Sequence, residues 1–183
     1  MGNIMSIILQ GSTSGSVTLQ EPAVAGTTVL TLPAVSGTVL TTTSPKAGNV
    51  IQVVSVANKT GTSTTGNTYI ASTLAASITP TSSSSKILVF GHFYVRTSAG
   101  AVSATATLYR NSTDLTSGSL GLTYAYAASS NLEITAPFSY LDSPSTTSST
   151  TYTIYFKRSD AAGTAAIGNS NMDSVITLME IAA

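Results

Sequence analysis

Apolar and polar residues alternate along most of this chain with a period of two. No stretch of useful length carries the 3.6-residue period of an amphipathic helix. The alternation predicts strands over 50–56, 68–71, 86–96, 103–110, 120–127, 132–141, 151–158 and 174–181. Between them lie turn-forming clusters: Thr81-Ser82-Ser83-Ser84-Ser85, Ser98-Ala99-Gly100, Arg110-Asn111-Ser112, Asp142-Ser143-Pro144 and Ser159-Asp160-Ala161-Ala162-Gly163. The stretch 60–67 reads as a Gly/Ser/Thr loop. Many short strands at regular spacing predict an all-β class, an antiparallel jelly roll or β-sandwich.

The segment 86–96 is the strongest strand. One side carries Ile87, Val89, Gly91, Phe93 and Val95, and the other carries Leu88, Phe90, His92 and Tyr94. A strand apolar on both sides is covered on both sides. In a sandwich one side meets the opposite sheet, so the other calls for a second cover, which a neighbouring subunit would supply. Elsewhere the sidedness is simpler. Tyr152, Ile154 and Phe156 share one side of their strand, and Leu132, Ile134, Ala136, Phe138 and Tyr140 share one side of theirs.

The first forty-odd residues differ in texture. Pro22-Ala23-Val24-Ala25-Gly26-Thr27 is repeated as Pro33-Ala34-Val35-Ser36-Gly37-Thr38, and each copy runs into a short alternating stretch. A unit this short has one apolar edge and no partner within its own length, so it gains a core by association. Residues 41–48 contain Pro45 and Gly48 and read as a linker. The expected organisation is therefore a β-repeat stalk over 1–45, which anchors and assembles the chain, and a sandwich head over 46–183. Candidate contacts between copies are Val29, Leu30, Leu32, Val39 and Leu40 in the stalk, with Phe90, His92 and Tyr94 in the head.

Composition narrows the function. Only 8% of residues are charged, seven basic against seven acidic. Nucleic-acid surfaces need a clustered positive field, so none is expected. Low charge also gives little electrostatic defence against self-association. There is no cysteine, hence no disulfide and no thiolate metal site. No apolar run reaches the length of a membrane span, and no membrane insertion is expected. The opening Met1-Gly2-Asn3-Ile4-Met5-Ser6 fits a loose myristoylation pattern that is common by chance.

Candidate chemistry is sparse. His92 is the one histidine and sits in the most apolar strand, where a core or interface role outweighs a catalytic one. The acids Glu21, Asp114, Glu133, Asp142, Asp160, Asp173 and Glu180 are scattered singly. A glycosidase needs two carboxylates across one bond. Asp142 and Asp160 could meet only through the fold, and as turn residues they would bond their own backbone. No calcium-loop spacing occurs. The expectation is no enzyme, no metal and no cofactor. Asn58-Lys59-Thr60 and Asn111-Ser112-Thr113 match the glycosylation acceptor and are read as ordinary loop residues. Tyr124 and Tyr126 share one side of their strand, with Ala125 and Ala127 on the other. Flat aromatic faces beside hydroxyls suit sugars, which makes this pair the candidate receptor contact. The competing and favoured reading packs them in the sandwich or between copies.

Two resemblances follow. From residue 86 onward the order of features resembles the jelly-roll heads of complement and tumour-necrosis-factor-like proteins. A long aromatic strand is followed by a second strand and a corner at Leu108 to Asn111, similar to that family's leucine-x-lysine-asparagine-glycine turn, with Ser112 in place of the glycine. A penultimate strand, a small-residue loop and a last apolar strand close the chain. The resemblance implies trimeric heads. The whole chain resembles tail-fibre and appendage proteins of bacterial viruses, particularly marine ones. The phrases that carry this are the stalk run from Leu30 to Leu40, Ser77-Ile78-Thr79-Pro80 continuing to Val89, and Thr177 to Ala182 at the end. It implies a homotrimeric virion fibre on tail or capsid surface. Its start would meet other virion proteins, and its head would be exposed for host-surface attachment, with a surface glycan as one candidate partner. A capsid decoration protein without a receptor role is the alternative. A free lectin or carbohydrate-active enzyme fits the scarce acids less well.

Overall fold

A computed structural model describes residues 7–19, 24, 29, 34, 45–98, 100–116, 118–159 and 163–183. The chain divides into two compact units, Met1–Val39 and Leu40–Ala183. The first contains β1 (Ile7–Gln10) and β2 (Ser16–Leu19). The second contains β3 (Val50–Asn58), β4 (Thr62–Thr64), β5 (Ile70–Ile78), β6 (Lys86–Thr97), β7 (Val102–Arg110), β8 (Thr113–Asp114) and β9 (Thr123–Ala127). It continues with β10 (Leu132–Asp142), β11 (Thr150–Arg158), β12 (Ala165–Ile167) and β13 (Ser174–Ile181). The described residues include no helix, as the period-two pattern requires.

In the first unit β1 and β2 form an antiparallel hairpin, with Ile7 opposite Leu19 and Gln10 opposite Ser16. The Gly11 amide donates to the Gly15 carbonyl at 2.9 Å, and Gly15 takes a positive φ of 75° to close the turn. Ile7, Ile8, Leu9 and Val17 are all more than half exposed. A lone two-stranded hairpin is marginal in water, and this one keeps greasy side chains wet on both faces. Val29 is also exposed. Leu30, Leu32, Val39, Leu40 and most of the tandem repeat lie outside the described residues.

The second unit is a sandwich of two sheets. In the first sheet β3, β13, β6 and β10 lie side by side, with β12 pairing the far end of β6 and β4 pairing β12. In the second, β5, β11 and β7 are followed by β9 along one half of β7 and β8 along the other. All of these pairings are antiparallel. Taking the eight main strands in chain order, the first sheet holds the first, eighth, third and sixth. The second sheet holds the second, seventh, fourth and fifth. That interleaving is the jelly-roll connectivity.

Strand parity sends alternate residues into the space between the sheets. Ile87, Val89, Phe93, Ile176 and Leu178 come from the first sheet, and Leu74, Leu108, Tyr152, Ile154 and Phe156 from the second; all are essentially inaccessible. Phe93 and Phe138 meet with ring centroids 5.6 Å apart. The expected sidedness of 132–140 and 151–158 is what the structure shows. Two segments read as loops contain strands: β4 falls within 60–67, and β12 within the small-residue stretch after Ser159. β5 extends to Ile78, well past the weak strand expected over 68–71. Its run Ala71-Ser72-Thr73-Leu74-Ala75-Ala76-Ser77 has little β-branched content, and the strand is held by pairing with β11.

Two inward-facing acids are bound by the fold, Asp142 between the sheets and Glu180 between β13, β3 and the β5–β6 connection. Asp142, at the end of β10, accepts from Arg110 Nη1 on both carboxylate oxygens at 2.8 Å, and from the Tyr152 hydroxyl at 2.6 Å. One carboxylate thus joins the first sheet to two strands of the second. This corrects the reading of Asp142 as a turn residue bonding its own backbone. Burial, and then the hydrogen bond to Asp142, hold the Tyr152 phenol far above its ordinary pKa. Asp160 is outside the described residues. Glu180, fully buried on β13, accepts from Gln52 Nε2 at 2.5 Å and from the Thr81 amide and hydroxyl at 2.7 Å each.

Burial alone would raise the Glu180 pKa, but the donors around it outweigh burial and lower it. A carboxyl depressed in the folded state stabilises the fold above its unfolded pKa, and that contribution is lost as pH falls through the folded value. Glu180→Gln, which cannot carry the charge these donors face, should destabilise the head by about 2 kcal/mol at neutral pH. Its melting temperature should also fall less steeply than that of the wild type below about pH 5. Thermal melts at several pH values check both.

Candidate functional site

The outward face of the first sheet is built by the residues that alternate with the core. Cross-strand register sets them in rows. Val53, Met179, Leu88 and Leu141 form one unbroken row across β3, β13, β6 and β10. The next row is Ser55, Thr177, Phe90 and Ser139, and the one after is Ala57, Val175, His92 and Pro137. These three rows contain no charged residue. Val53 and Leu141 are each 53% exposed, while Leu88, Phe90, His92, Val175 and Met179 are partly buried by their neighbours. On one side the face continues through Val50 and Ile181 to Lys86. On the other it ends at Tyr94 beside Thr135 and at an Arg96–Glu133 ion pair of 3.4 Å.

The structure therefore brings Phe90 and His92 onto this face. Tyr94 shares their parity but is buried, with 4% exposure. Its hydroxyl lies near Glu133 and Asn169 without a hydrogen bond of normal geometry to either, and burial, then Glu133, raise its pKa. The aliphatic row itself went unrecognised in the sequence apart from Leu88. Val53, Met179 and Leu141 each look like ordinary strand residues until strands far apart in the chain are set in register.

The outward face of the second sheet has different chemistry. Its strand residues are Ala71, Thr73, Ala75 and Ser77 on β5; Thr151, Thr153, Tyr155 and Lys157 on β11; and Ser103, Thr105, Thr107 and Tyr109 on β7. β9 adds Tyr124 and Tyr126, opposite Thr105 and Ser103. None of these strand positions holds an aliphatic side chain larger than alanine. Tyr109 and Tyr155 stack at 3.9 Å between centroids, Tyr69 lies 6.5 Å from Tyr109, and Lys157 Nζ sits 4.6 Å over the Tyr69 ring. Thr105 and Thr107 are wholly covered: Thr105 bonds the Ser159 hydroxyl at 2.7 Å, and Thr107 donates to Asp114 at 2.7 Å and also meets Thr116. Burial, and then the Asp114 carboxylate, raise the phenol pKa of Tyr69 and Tyr109.

Tyr124 and Tyr126 are 45% and 47% exposed, and their ring planes are parallel within 4° at a centroid separation of 6.5 Å. This corrects the half of the favoured reading that packs them in the sandwich; the half that places them between copies stands apart from it. Instead Ala125 and Ala127 point inward, 3% and 4% exposed. The β7 residues on the same inward side of this edge are also small, Ala104 and Ala106.

The acids that could serve catalysis are engaged structurally among the described residues. Asp142 and Glu180 are buried as above, Glu133 pairs with Arg96, Asp114 with Thr107 and Thr116, and Asp173 lies 3.9 Å from Lys59. No cluster of three metal-ligating side chains occurs among the described residues. Both glycosylation-type asparagines are used by the fold. Asn58 donates to the Thr73 carbonyl and accepts from the Thr60 amide; Asn111, at a positive φ of 52°, accepts from the Thr151 amide.

No protein-family model matches the chain, and no curated protein matches it in sequence. Among solved structures it is similar to that of the infectious bursal disease virus Gx strain, at 14% identity and a TM-score of 0.44, over 91% of this chain and 42% of the other. It is also similar to the VP2 protein of infectious bursal disease virus in derived T=1 particles, at 15% identity and a TM-score of 0.41, over 100% of this chain and 48% of the other. The chain spans less than half the length of these proteins.

Proposed function

We propose that this chain is a structural protein of a virus particle. Three copies join through the outer face of the first sheet into a fibre or appendage of a bacterial virus, and the C-terminal heads are displayed toward the host surface. The observation that carries the reading is the uncharged, largely apolar expanse centred on Val53, Met179, Leu88 and Leu141. Contiguous apolar patches of this kind mark interaction sites on proteins that would otherwise associate nonspecifically. The exposed Ile7, Ile8, Leu9 and Val17 of the first unit point to the same need for partners. The resemblance of the stalk, the Ser77–Val89 phrase and the closing phrase to tail-fibre proteins supplies the setting. The reading is of a non-catalytic protein, supported by the structural engagement of the described acids.

Sedimentation of the full chain tests the assembly. The expected mass is three times the 18.5 kDa chain at micromolar concentration, and a monomer overturns it. Images of the particle test the setting. A few copies at a tail or vertex support attachment, whereas a regular array over the capsid lattice replaces it with decoration.

A further inference from the structure

We propose that the outer face of the second sheet binds neutral saccharides through Tyr124 and Tyr126 on its edge strand β9. This deepens the attachment role above, on which it rests for its biological meaning.

The two outer faces differ in kind. The first sheet offers aliphatic side chains, which suit another protein surface. The second carries five of the chain's eight tyrosines on its outward side, Tyr124 and Tyr126 exposed and Tyr69, Tyr109 and Tyr155 partly buried against one another, with no outward aliphatic larger than alanine on its strands. A pyranose ring has an apolar C–H face and a rim of hydroxyls. A phenol matches both, through the ring face and the polar tip. The charges on this face are already engaged: Lys157 over the Tyr69 ring, and Asp114 by Thr107 and Thr116. Neither charge lies on β9 beside Tyr124 and Tyr126, which suits a neutral ligand there.

The platform is also preorganised. The β7–β9 ladder fixes Tyr124 and Tyr126, and the flanking Ala125 and Ala127 are anchored in the core. Rings held parallel within 4° and 6.5 Å apart lose little further freedom on binding. Consecutive residues of one extended glycan can each meet a ring.

Affinity electrophoresis of the full chain through gels containing dextran, mannan or galactan tests this, with Tyr124→Ala/Tyr126→Ala as the variant. Wild-type protein should be retarded by at least one of the three, and the variant should bind at least tenfold more weakly with an unchanged melting temperature. The chain has no tryptophan, so tyrosine emission gives a second readout, which should shift on titration with the retarding polysaccharide. Three results overturn the proposal: no retardation by any of the three, equal retardation of the variant, or a drop in the variant's sedimenting mass, which would show that a second copy occupies this face. Loss of binding with the trimer intact leaves the assembly reading standing. A monomer that still binds sugar removes only the assembly reading.

Discussion

Gly91→Ala should abolish the folded head. Gly91 lies in the middle of β6, on its inward side, with Ile176 of β13 across one edge and Phe138 of β10 across the other. Its φ is 156°, a conformation that side chains disfavour. A Cβ placed there would stand 1.9 Å from the Val175 carbonyl oxygen and 2.9 Å from its carbon. Those atoms belong to backbone, so no side-chain rotation relieves the clash. Either β13 moves away from β6 and gives up ladder hydrogen bonds, or β6 buckles into a core that already holds Phe93 and Phe138. Both strands are central to the first sheet. We expect a loss of about 4 kcal/mol or more, comparable to the whole stability of a modest domain. The urea midpoint and the yield of soluble protein report it. Gly118, with open space where its Cβ would be, is the control: Gly118→Ala should stay within about 0.5 kcal/mol of wild type.

The same glycine shows what sequence alone could convey. Its place in the 86–96 pattern was visible, as was the two-sided apolar character of that strand, because both depend only on neighbours along the chain. The close approach of Val175 depends on a residue more than eighty positions away. The same division holds elsewhere. The sidedness of β10 and β11 was legible from local alternation. β4 and β12 were not, because three-residue strands carry no period and exist by pairing with each other and with β6. The inward turn of Ala125 and Ala127 corrects the packing of Tyr124 and Tyr126 within the sandwich: an alanine side looks like a weak face until its partner strand proves to be lined with Ala104 and Ala106. Asp142 lies beside a Ser-Pro turn in sequence, yet the fold delivers Arg110 and Tyr152 to it from two other strands.

Leu88→Asp should convert the proposed trimer into monomers while leaving the head folded. Leu88 occupies an inner position of the aliphatic row, flanked by Met179 on β13 and Leu141 on β10. It points away from the sandwich core, so the substitution leaves Ile87 and Val89 in place. In a free head the new carboxylate stands in water at little cost. In a trimer it must be desolvated against Met179, Leu141 and Phe90; the nearest cation on this face is Lys86, exposed at its rim. Removing an unpaired carboxylate from water costs about 3 kcal/mol or more. Three-fold symmetry imposes that cost three times, so association should weaken by roughly a million-fold. Sedimentation at micromolar concentration should show the mass of one chain, with a cooperative melt retained. Saccharide retardation of each head should persist, because Tyr124 and Tyr126 lie on the opposite sheet. A variant that keeps the wild-type mass would place the contact between copies elsewhere, and one that loses its cooperative melt would mean that the outer face supports the head itself rather than a neighbour.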